Sequence, residues 1–162
     1  MQLEFISTSP QQTAETGKKL SKLLKGGDVL LFSGELGGGK TTFISGQARG
    51  LGIPENLSSP SFTILNEYGV GKFKLIHIDL YRLDSLAEFE NIGLDDYIYN
   101  DRCIVCVEWG EKVREYIKKE YLLLDFGYVL GEDSIDKRKI IFRSSGPLWE
   151  PRIKILENRL KR

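Results

Sequence analysis

A glycine-rich segment that ends in lysine and threonine, residues 34–42, matches the pattern G-x-x-x-x-G-K-[ST] without a gap. Glycines let backbone N–H groups approach phosphate oxygens closely, and the start of a helix adds its positive dipole end. In this pattern the lysine contacts the β- and γ-phosphates of a nucleotide, and the hydroxyl that follows it holds Mg²⁺. We therefore predict a nucleoside triphosphate site, whose contacts in this segment are Gly37, Gly38, Gly39, Lys40, Thr41 and Thr42.

Two acidic residues stand directly after apolar runs that are typical of buried strands. Asp79 follows residues 73–78, and Glu108 follows residues 104–107. In open α/β sheets ligands bind at the carboxyl ends of the strands, and nucleotide hydrolysis needs Mg²⁺ held from a second strand and a positioned water. We predict that Glu108 completes the Mg²⁺ shell and that Asp79 has a catalytic role. The alternatives are a helix cap for Glu108 and a salt bridge from Asp79 to Arg82.

The segment 58–63 is rich in hydroxyl groups and lies between the phosphate-loop helix and the next strand. Many nucleotide hydrolases carry at this place a switch loop whose hydroxyl senses Mg²⁺ and the γ-phosphate. The candidate switch residues are Ser59, Ser61 and Thr63. Serines beside a proline are also ordinary loop residues, so both interpretations stay open at this point. His77, in the following strand, is predicted to be a hydrogen-bonded core residue rather than a catalyst.

The elements that must position these residues alternate between strand and helix. Predicted strands cover residues 3–6, 28–33, 73–79, 104–107, 121–126 and 139–143, and predicted helices cover residues 9–24, 40–50, 85–91, 111–119 and 149–160. This alternation around a phosphate loop favours a three-layer α/β domain of the P-loop NTPase type with a largely parallel central sheet. At 162 residues the chain is long enough for one such domain, 1–162.

The overall charge and hydropathy exclude some classes of function. The chain carries 23 basic and 23 acidic residues, so it has no general attraction to nucleic acid or to an acidic membrane. No apolar run approaches the ~18 residues of a membrane span, and no signal-peptide pattern is seen, so we expect a cytoplasmic protein that does not bind a membrane. The segment 152–162 is locally basic and is expected to be a solvated helix face, with contact to tRNA or a partner as the alternative.

The two cysteines, Cys103 and Cys106, spell C-x-x-C inside a strand-like run. Three strand steps separate the Cα atoms by about 10 Å, which exceeds the ~7 Å that a disulfide allows. No second cysteine pair completes a zinc site. We predict buried thiols with a structural role.

Five segments, in order along the chain, resemble the TsaE (YjeE) family. They are residues 34–43, 59–63, 77–83, 88–96 and 107–111, of which His-Ile-Asp-Leu-Tyr-Arg and Glu-Trp are the most specific. Gly38 stands where the family usually has alanine, and Ser61 stands where it usually has threonine. The first departure adds flexibility to the loop, and the second keeps the hydroxyl.

The resemblance implies a Mg²⁺-dependent ATPase, weak by itself, that supports N6-threonylcarbamoylation of adenosine 37 in tRNA. It would bind the TsaD and TsaB proteins, use ATP hydrolysis to reset their complex between turnovers, and meet tRNA indirectly or through that complex. Carried over by position, Thr41 and Glu108 hold Mg²⁺, Asp79 supports hydrolysis, and Trp109 lies beside the nucleotide. Thr8 and Thr13 match a segment that lies close to the base.

Two other functions remain possible for a phosphate-loop protein of this size. A small-molecule kinase would close an arginine-bearing lid over the transferred phosphate, whereas the arginines here are scattered along the chain. A nucleotide-gated interaction module, with incidental hydrolysis, needs the same residues as a working ATPase. A GTPase is disfavoured because the sequence contains no Asn-Lys-x-Asp motif.

Overall fold

The computed structural model describes residues 1–54 and 57–162. Within them the strands form one seven-stranded sheet in the order β1-β7-β6-β2-β5-β4-β3. The strands are β1 Gln2–Ser7, β2 Val29–Gly34, β3 Leu65–Val70, β4 Phe73–Asp79, β5 Cys103–Glu108, β6 Leu122–Tyr128 and β7 Arg138–Ser144. The helices are α1 Pro10–Ser21, α2 Lys40–Leu51, α3 Leu86–Asn91, α4 Leu94–Ile98 and α5 Glu150–Leu160.

The centre of the sheet is parallel. β6, β2, β5 and β4 pair in parallel, while β7 and β3 run against them on either side. β2 and β5 are covered on both faces, which explains why their sequences are continuous apolar runs rather than alternating patterns. The predicted α/β architecture with a largely parallel central sheet is confirmed.

Helices cover both faces of this sheet and make three layers. Apolar side chains of α1, α2 and α5, such as Leu20, Phe43 and Ile153, form one core with one face of the sheet. Phe89 of α3 and Leu94 of α4 form the second core with the opposite face. The phosphate-loop helix α2 is therefore held between the sheet and α1.

Two glycines bring α1 and α2 unusually close together. A Cβ atom on Gly46 would lie 1.9 Å from the carbonyl oxygen of Ala14, and a Cβ on Gly17 would lie 2.1 Å from that of Phe43. Only a residue without a side chain permits this approach of two helix backbones. The contact places the first turns of α1 beside the start of α2, where the phosphate loop ends.

Three parts of the predicted element pattern differ from the structure. The helix predicted over 111–119 is wrong, because this segment forms two short 3-10 turns, Gly110–Lys112 and Arg114–Tyr116. Gly110 packs directly on β2, and the Lys112 ammonium donates hydrogen bonds to the carbonyl oxygens of Leu80 and Leu83 after β4. Strand β3 and helix α4 were not predicted; β3 is an edge strand that pairs antiparallel with β4.

The predicted state of the cysteines is confirmed. Cys103 and Cys106 are buried free thiols, and burial raises the pKa of the Cys106 thiol well above its ordinary value. Within residues 1–54 and 57–162, no helix has both the length and the apolar character that a bilayer crossing requires.

Candidate nucleotide site

The phosphate loop connects β2 to α2 as the sequence predicts. Gly34, Gly37 and Gly39 have φ values of 119°, 73° and 101°, a region that L side chains rarely adopt. A Cβ on Gly38 would lie 2.9 Å from the carbonyl oxygen of Glu35, so glycine fits this position more easily than alanine does. The positive φ values fold the loop into a tight turn, in which the Gly38 N–H donates a hydrogen bond of 3.1 Å to the carbonyl oxygen of Glu35.

Lys40 lies at the first position of α2, and only 5% of its surface is exposed. Its Nζ atom donates hydrogen bonds to the carbonyl oxygens of Gly34 and Glu35 and lies 4.4 Å from the centre of the Trp109 ring. Burial lowers the pKa of the Lys40 ammonium, while the nearby carboxylates of Glu108, Glu111 and Asp79 oppose that shift. The free protein thus holds a desolvated cation at the place where the motif requires a phosphate contact.

Glu108 stands at the end of β5 and meets Thr41 from α2. The Thr41 hydroxyl donates a hydrogen bond of 3.0 Å to Oε1 of Glu108. The other carboxylate oxygen, Oε2, lies 2.7 Å from Nε2 of His77 in β4. The two predicted Mg²⁺ ligands therefore contact each other at the mouth of the loop, and the alternative of Glu108 as a simple helix cap loses its basis.

Asp79 stands at the end of β4, directly opposite Glu108 in the parallel register. Its Oδ2 atom accepts hydrogen bonds of 3.0 Å from the hydroxyls of both Ser59 and Ser61. In the described part of the chain Arg82 forms no salt bridge with Asp79; its guanidinium lies 4.6 Å from the centre of the Phe62 ring instead. Asp79 thus joins the candidate switch loop to the carboxyl edge of the sheet.

These residues enclose one cavity of about 260 Å³. Its walls combine the phosphate loop, two strand-end acids, two loop serines and one tryptophan. The lining residues are Leu36, Gly37, Gly38, Gly39, Lys40, Thr41, Thr42, Ser59, Ser61, Asp79, Glu108 and Trp109. All of them except Leu36 were candidates from the sequence. A larger cavity of about 360 Å³ lies beside α3 and α4, but it lacks the phosphate-binding loop.

The remaining candidates lie elsewhere. Thr63 is exposed and donates a hydrogen bond to Asn66, outside this cavity. Thr8 is exposed and bonds to Gln12. Thr13 is buried and lines a second cavity of about 100 Å³, which shares Gly37, Gly39 and Thr42 with the first.

The second cavity is also lined by three residues that were not site candidates from the sequence: Pro10, Asp136 and Arg138. Asp136 and Arg138 line it from β7 and the turn before that strand, and Arg138 donates a hydrogen bond to the carbonyl oxygen of Gly37. No local motif marks them, because they reach the loop only through the position of β7 next to β6 in the sheet.

The oxygen donors beside the phosphate loop fit Mg²⁺. Mg²⁺ prefers oxygen ligands and is usually held by one or two carboxylates together with substrate phosphates and water. The Thr41 hydroxyl and the Glu108 carboxylate supply such oxygens beside the phosphate loop. Among the described residues no group of three or more His, Cys, Asp or Glu side chains forms a metal cluster.

A mostly parallel sheet flanked by helices, with a G-x-x-x-x-G-K-T loop between its central strand and the next helix, defines an α/β protein of the P-loop type. The chain belongs to the TsaE family. The family model described as "Threonylcarbamoyl adenosine biosynthesis protein TsaE" matches residues 7–140. The resemblance inferred from the motifs is confirmed.

Individual relatives match most of the chain. It is 38% identical over 149 residues to the tRNA threonylcarbamoyladenosine biosynthesis protein TsaE of Bacillus subtilis, covering 92% of this chain and 90% of that protein. It is 44% identical over 111 residues to the TsaE protein of Treponema pallidum, covering 68% of this chain and 81% of that protein. The crystal structure of Bacillus subtilis YdiB superposes with a TM-score of 0.81 at 33% identity, covering 98% of this chain and 96% of that one.

Proposed function

We propose that this chain is a Mg²⁺-dependent ATPase that supports threonylcarbamoylation of adenosine 37 in tRNA. The observation that carries the proposal is the single cavity in which the phosphate loop, Lys40 and the hydrogen-bonded pair Thr41–Glu108 meet. Membership of the TsaE family supports a role in threonylcarbamoyladenosine biosynthesis. The cytoplasmic location expected from the sequence is part of the same proposal.

Different residues of the cavity bind different parts of the Mg²⁺–ATP complex. The loop N–H groups bind phosphate oxygens, and Lys40 exchanges the carbonyl oxygens of Gly34 and Glu35 for the β- and γ-phosphates. Thr41 and Glu108 would hold Mg²⁺, which neutralises the charge that develops on the phosphates. The adenosine extends past Thr42 towards the second cavity, which shares this residue with the first.

Asp79 and the switch serines connect hydrolysis to the outside of the protein. The carboxylate holds both serine hydroxyls in the free state. A γ-phosphate in the cavity competes for these hydroxyls, so nucleotide state alters the position of the loop. Phe62, 83% exposed between Ser61 and Thr63, presents an apolar side chain at the tip of that loop. We infer that the TsaD and TsaB proteins recognise this surface and that the loop reports ATP hydrolysis to them.

The kinase alternative is weaker. Among the described residues that line the cavity, Lys40 is the only basic side chain, whereas a kinase needs arginines near the transferred phosphate. Phosphoryl transfer to a small acceptor remains the measurement that would favour it.

The test is ATP hydrolysis by the purified protein alone and then with TsaD, TsaB and tRNA from the same organism. We expect weak turnover alone and strong stimulation in the mixture. Unchanged turnover, together with no complex on a sizing column, would contradict the proposal. Repeated rounds of tRNA modification with a non-hydrolysable ATP analogue would show instead that the chain is a nucleotide-gated module with incidental hydrolysis.

A further inference from the structure

His77 is the only histidine of the chain, and it is fully buried in β4. The functions assigned above to the nucleotide cavity do not use it. Its Nε2 atom lies 2.7 Å from Oε2 of Glu108, the carboxylate that faces the phosphate loop. A polar ring is costly to bury unless it is hydrogen-bonded, and the partner of this ring is a candidate metal ligand rather than another core residue.

The chemistry of the pair decides the direction of the hydrogen bond. A carboxylate oxygen accepts hydrogen bonds and an imidazole N–H donates them, so we assign the proton between the two groups to Nε2 of His77. The Nδ1 atom is buried and has no partner among the described residues. Among the described residues, the hydrogen bond to Glu108 is therefore the only one that the His77 ring makes.

The two oxygens of Glu108 have different partners. Oε2 accepts from His77, and Oε1 accepts from the Thr41 hydroxyl at 3.0 Å. The terminal torsion of a glutamate side chain is broad, so a carboxylate with one partner can rotate away from the geometry that a cation requires. With both oxygens held, Oε1 faces the phosphate loop.

The register of the sheet produces this arrangement. His77 lies opposite Cys106 in the parallel pairing of β4 with β5, and Asp79 lies opposite Glu108. Alternate residues of a strand share a face, so His77 and Asp79 point to the same side as Glu108. The His77 ring thus contacts Glu108, which lies two residues beyond its own partner Cys106 on the neighbouring strand. Asp79, the direct partner of Glu108, accepts the hydrogen bonds from Ser59 and Ser61 instead.

We infer that His77 is a positioning residue that orients Glu108 for cation binding through the hydrogen bond from Nε2 to Oε2. The inference rests on the proposed function, since it takes Glu108 as a Mg²⁺ ligand. Partners of metal ligands outside the coordination shell commonly change metal affinity by about 10–100-fold when they are removed.

The first experiment detects the hydrogen bond between His77 and Glu108 by NMR spectroscopy of the nucleotide-free protein. Because the chain has one histidine, the imidazole ¹H–¹⁵N correlations of the labelled protein contain the signals of His77 alone. We expect the proton on Nε2 in the wild type and a large shift of that signal in Glu108→Ala. A proton on Nδ1, or a signal that Glu108→Ala leaves unchanged, would overturn the inference.

The second experiment measures the coupling between Mg²⁺ and nucleotide, as the ratio of ADP dissociation constants without and with Mg²⁺. We expect His77→Leu to lower this ratio by about 10-fold or more while leaving the affinity without Mg²⁺ nearly unchanged. His77→Gln should restore most of the coupling, because its amide N–H can donate from a position close to that of Nε2. Full coupling in His77→Leu would overturn the inference.

A reference variant separates this inference from the proposed function. Glu108→Gln must lose the coupling if Glu108 holds Mg²⁺, whatever His77 does. If Mg²⁺ strengthens ADP binding in Glu108→Gln as much as in the wild type, or does not strengthen it in the wild type at all, the proposed function is contradicted. If Glu108→Gln loses this effect of Mg²⁺ while His77→Leu keeps it in full, only the role of His77 is contradicted. If thermal unfolding shows that His77→Leu is not folded, His77→Asn, whose amide is too short to reach Oε2, replaces it with the same expected loss.

Discussion

The Thr41 hydroxyl and the Glu108 carboxylate are joined by a hydrogen bond of 3.0 Å that links the first turn of α2 to the end of β5. The two residues are 67 positions apart in the sequence. Both offer oxygen atoms to the same point at the mouth of the phosphate loop, which is the arrangement that Mg²⁺ requires beside a nucleotide. The free protein therefore holds the two proposed Mg²⁺ ligands in contact with each other.

Replacing Glu108 by alanine should weaken nucleotide binding mainly when Mg²⁺ is present. The variant loses one carboxylate ligand, so we expect at least about a tenfold loss of affinity with Mg²⁺ and a much smaller loss without it. Calorimetric titration with ADP in the two conditions measures both values. Glu115→Ala is the matched control, because that carboxylate is exposed and does not line the cavity. Equal losses in both conditions would assign Glu108 a structural role.

Replacing Lys40 by alanine or methionine should abolish ATP binding and ATP-dependent activity without unfolding the protein. The removed group is a desolvated ammonium whose contacts in the free state are two carbonyl oxygens and the Trp109 ring. Binding sites often cost stability, so Lys40→Met should be as stable as the wild type or more stable by about 0.5–2 kcal/mol. Unaltered ATP turnover in Lys40→Ala would show that Lys40 takes no part in ATP binding or hydrolysis.

The stability difference between wild type and Lys40→Met should depend on pH in a defined direction. Burial lowers the pKa of Lys40 below the ordinary lysine value of 10.5, so the folded state disfavours the charged form that the unfolded state retains. This penalty is complete below the folded pKa and disappears as the pH rises towards 10.5. Wild type should therefore gain stability relative to Lys40→Met between neutral pH and about pH 10. Denaturant unfolding of both proteins at the two pH values checks the sign, since other titrations cancel in the difference.

Tryptophan fluorescence should report nucleotide binding through one of the two tryptophans. The centre of the Trp109 ring lies 4.4 Å from Nζ of Lys40, and Trp109 lines the cavity, whereas Trp149 precedes α5 and is buried with 2% of its surface exposed. When Lys40 moves to a phosphate, the charge above the Trp109 ring moves too. ATP should change the emission of wild type and Trp149→Phe but not of Trp109→Phe. A nucleotide signal that survives in Trp109→Phe would place the bound nucleotide away from this ring.

Removing the hydroxyls of Ser59 and Ser61 should lower the rate of ATP hydrolysis while leaving the affinity for ATP nearly unchanged. In Ser59→Ala combined with Ser61→Ala, Asp79 loses both hydrogen bonds to the loop while the phosphate loop is untouched. Hydrogen bonds to a charged group are worth about 1.5–3 kcal/mol, so we expect hydrolysis in the partner complex to fall about tenfold or more at nearly constant ATP affinity. Thr63→Ala is the control, because Thr63 bonds only to Asn66 among the described residues. An equal loss of ATP hydrolysis in Thr63→Ala would show that Thr63 also belongs to the switch.

The close contact between α1 and α2 should make one glycine indispensable. Gly46→Ala places a Cβ atom 1.9 Å from the carbonyl oxygen of Ala14, which forces two helix backbones apart. Overpacking typically costs about 1–3 kcal/mol, and a clash with backbone belongs at the upper end, which outweighs the gain of about 1 kcal/mol from the better helix propensity of alanine. Gly69→Ala is the matched control, since nothing lies within 4 Å of its Cβ position. Chemical denaturation should show a large loss for the first variant and almost none for the second.

Much of the molecule was predictable because its determinants are local. The phosphate loop needs only glycines, Lys40 and Thr41 between an apolar run and a helix, and all of these are adjacent in the chain. The strand Phe73–Asp79 was predicted with its observed bounds, because a mainly apolar run that ends on a carboxylate is typical of a strand buried within a sheet. The same local logic made Asp79, Glu108, Ser59 and Ser61 candidates for the site, and the structure places all four at one cavity.

Other features depend on contacts that no local pattern records. The segment 111–119 has a sequence that permits a helix, but the structure forms two short 3-10 turns there, with Gly110 packed on β2 and the Lys112 ammonium bound to backbone carbonyls after β4. Arg138 reaches the phosphate loop because β7 pairs with β6, and His77 reaches Glu108 because β4 and β5 pair in a particular register. The amino-acid sequence by itself determined which chemical groups this protein can use, since residue type and spacing along one segment carry that information. Which groups meet was decided only by the tertiary structure, because strand order and register set distances between residues that are far apart in the chain.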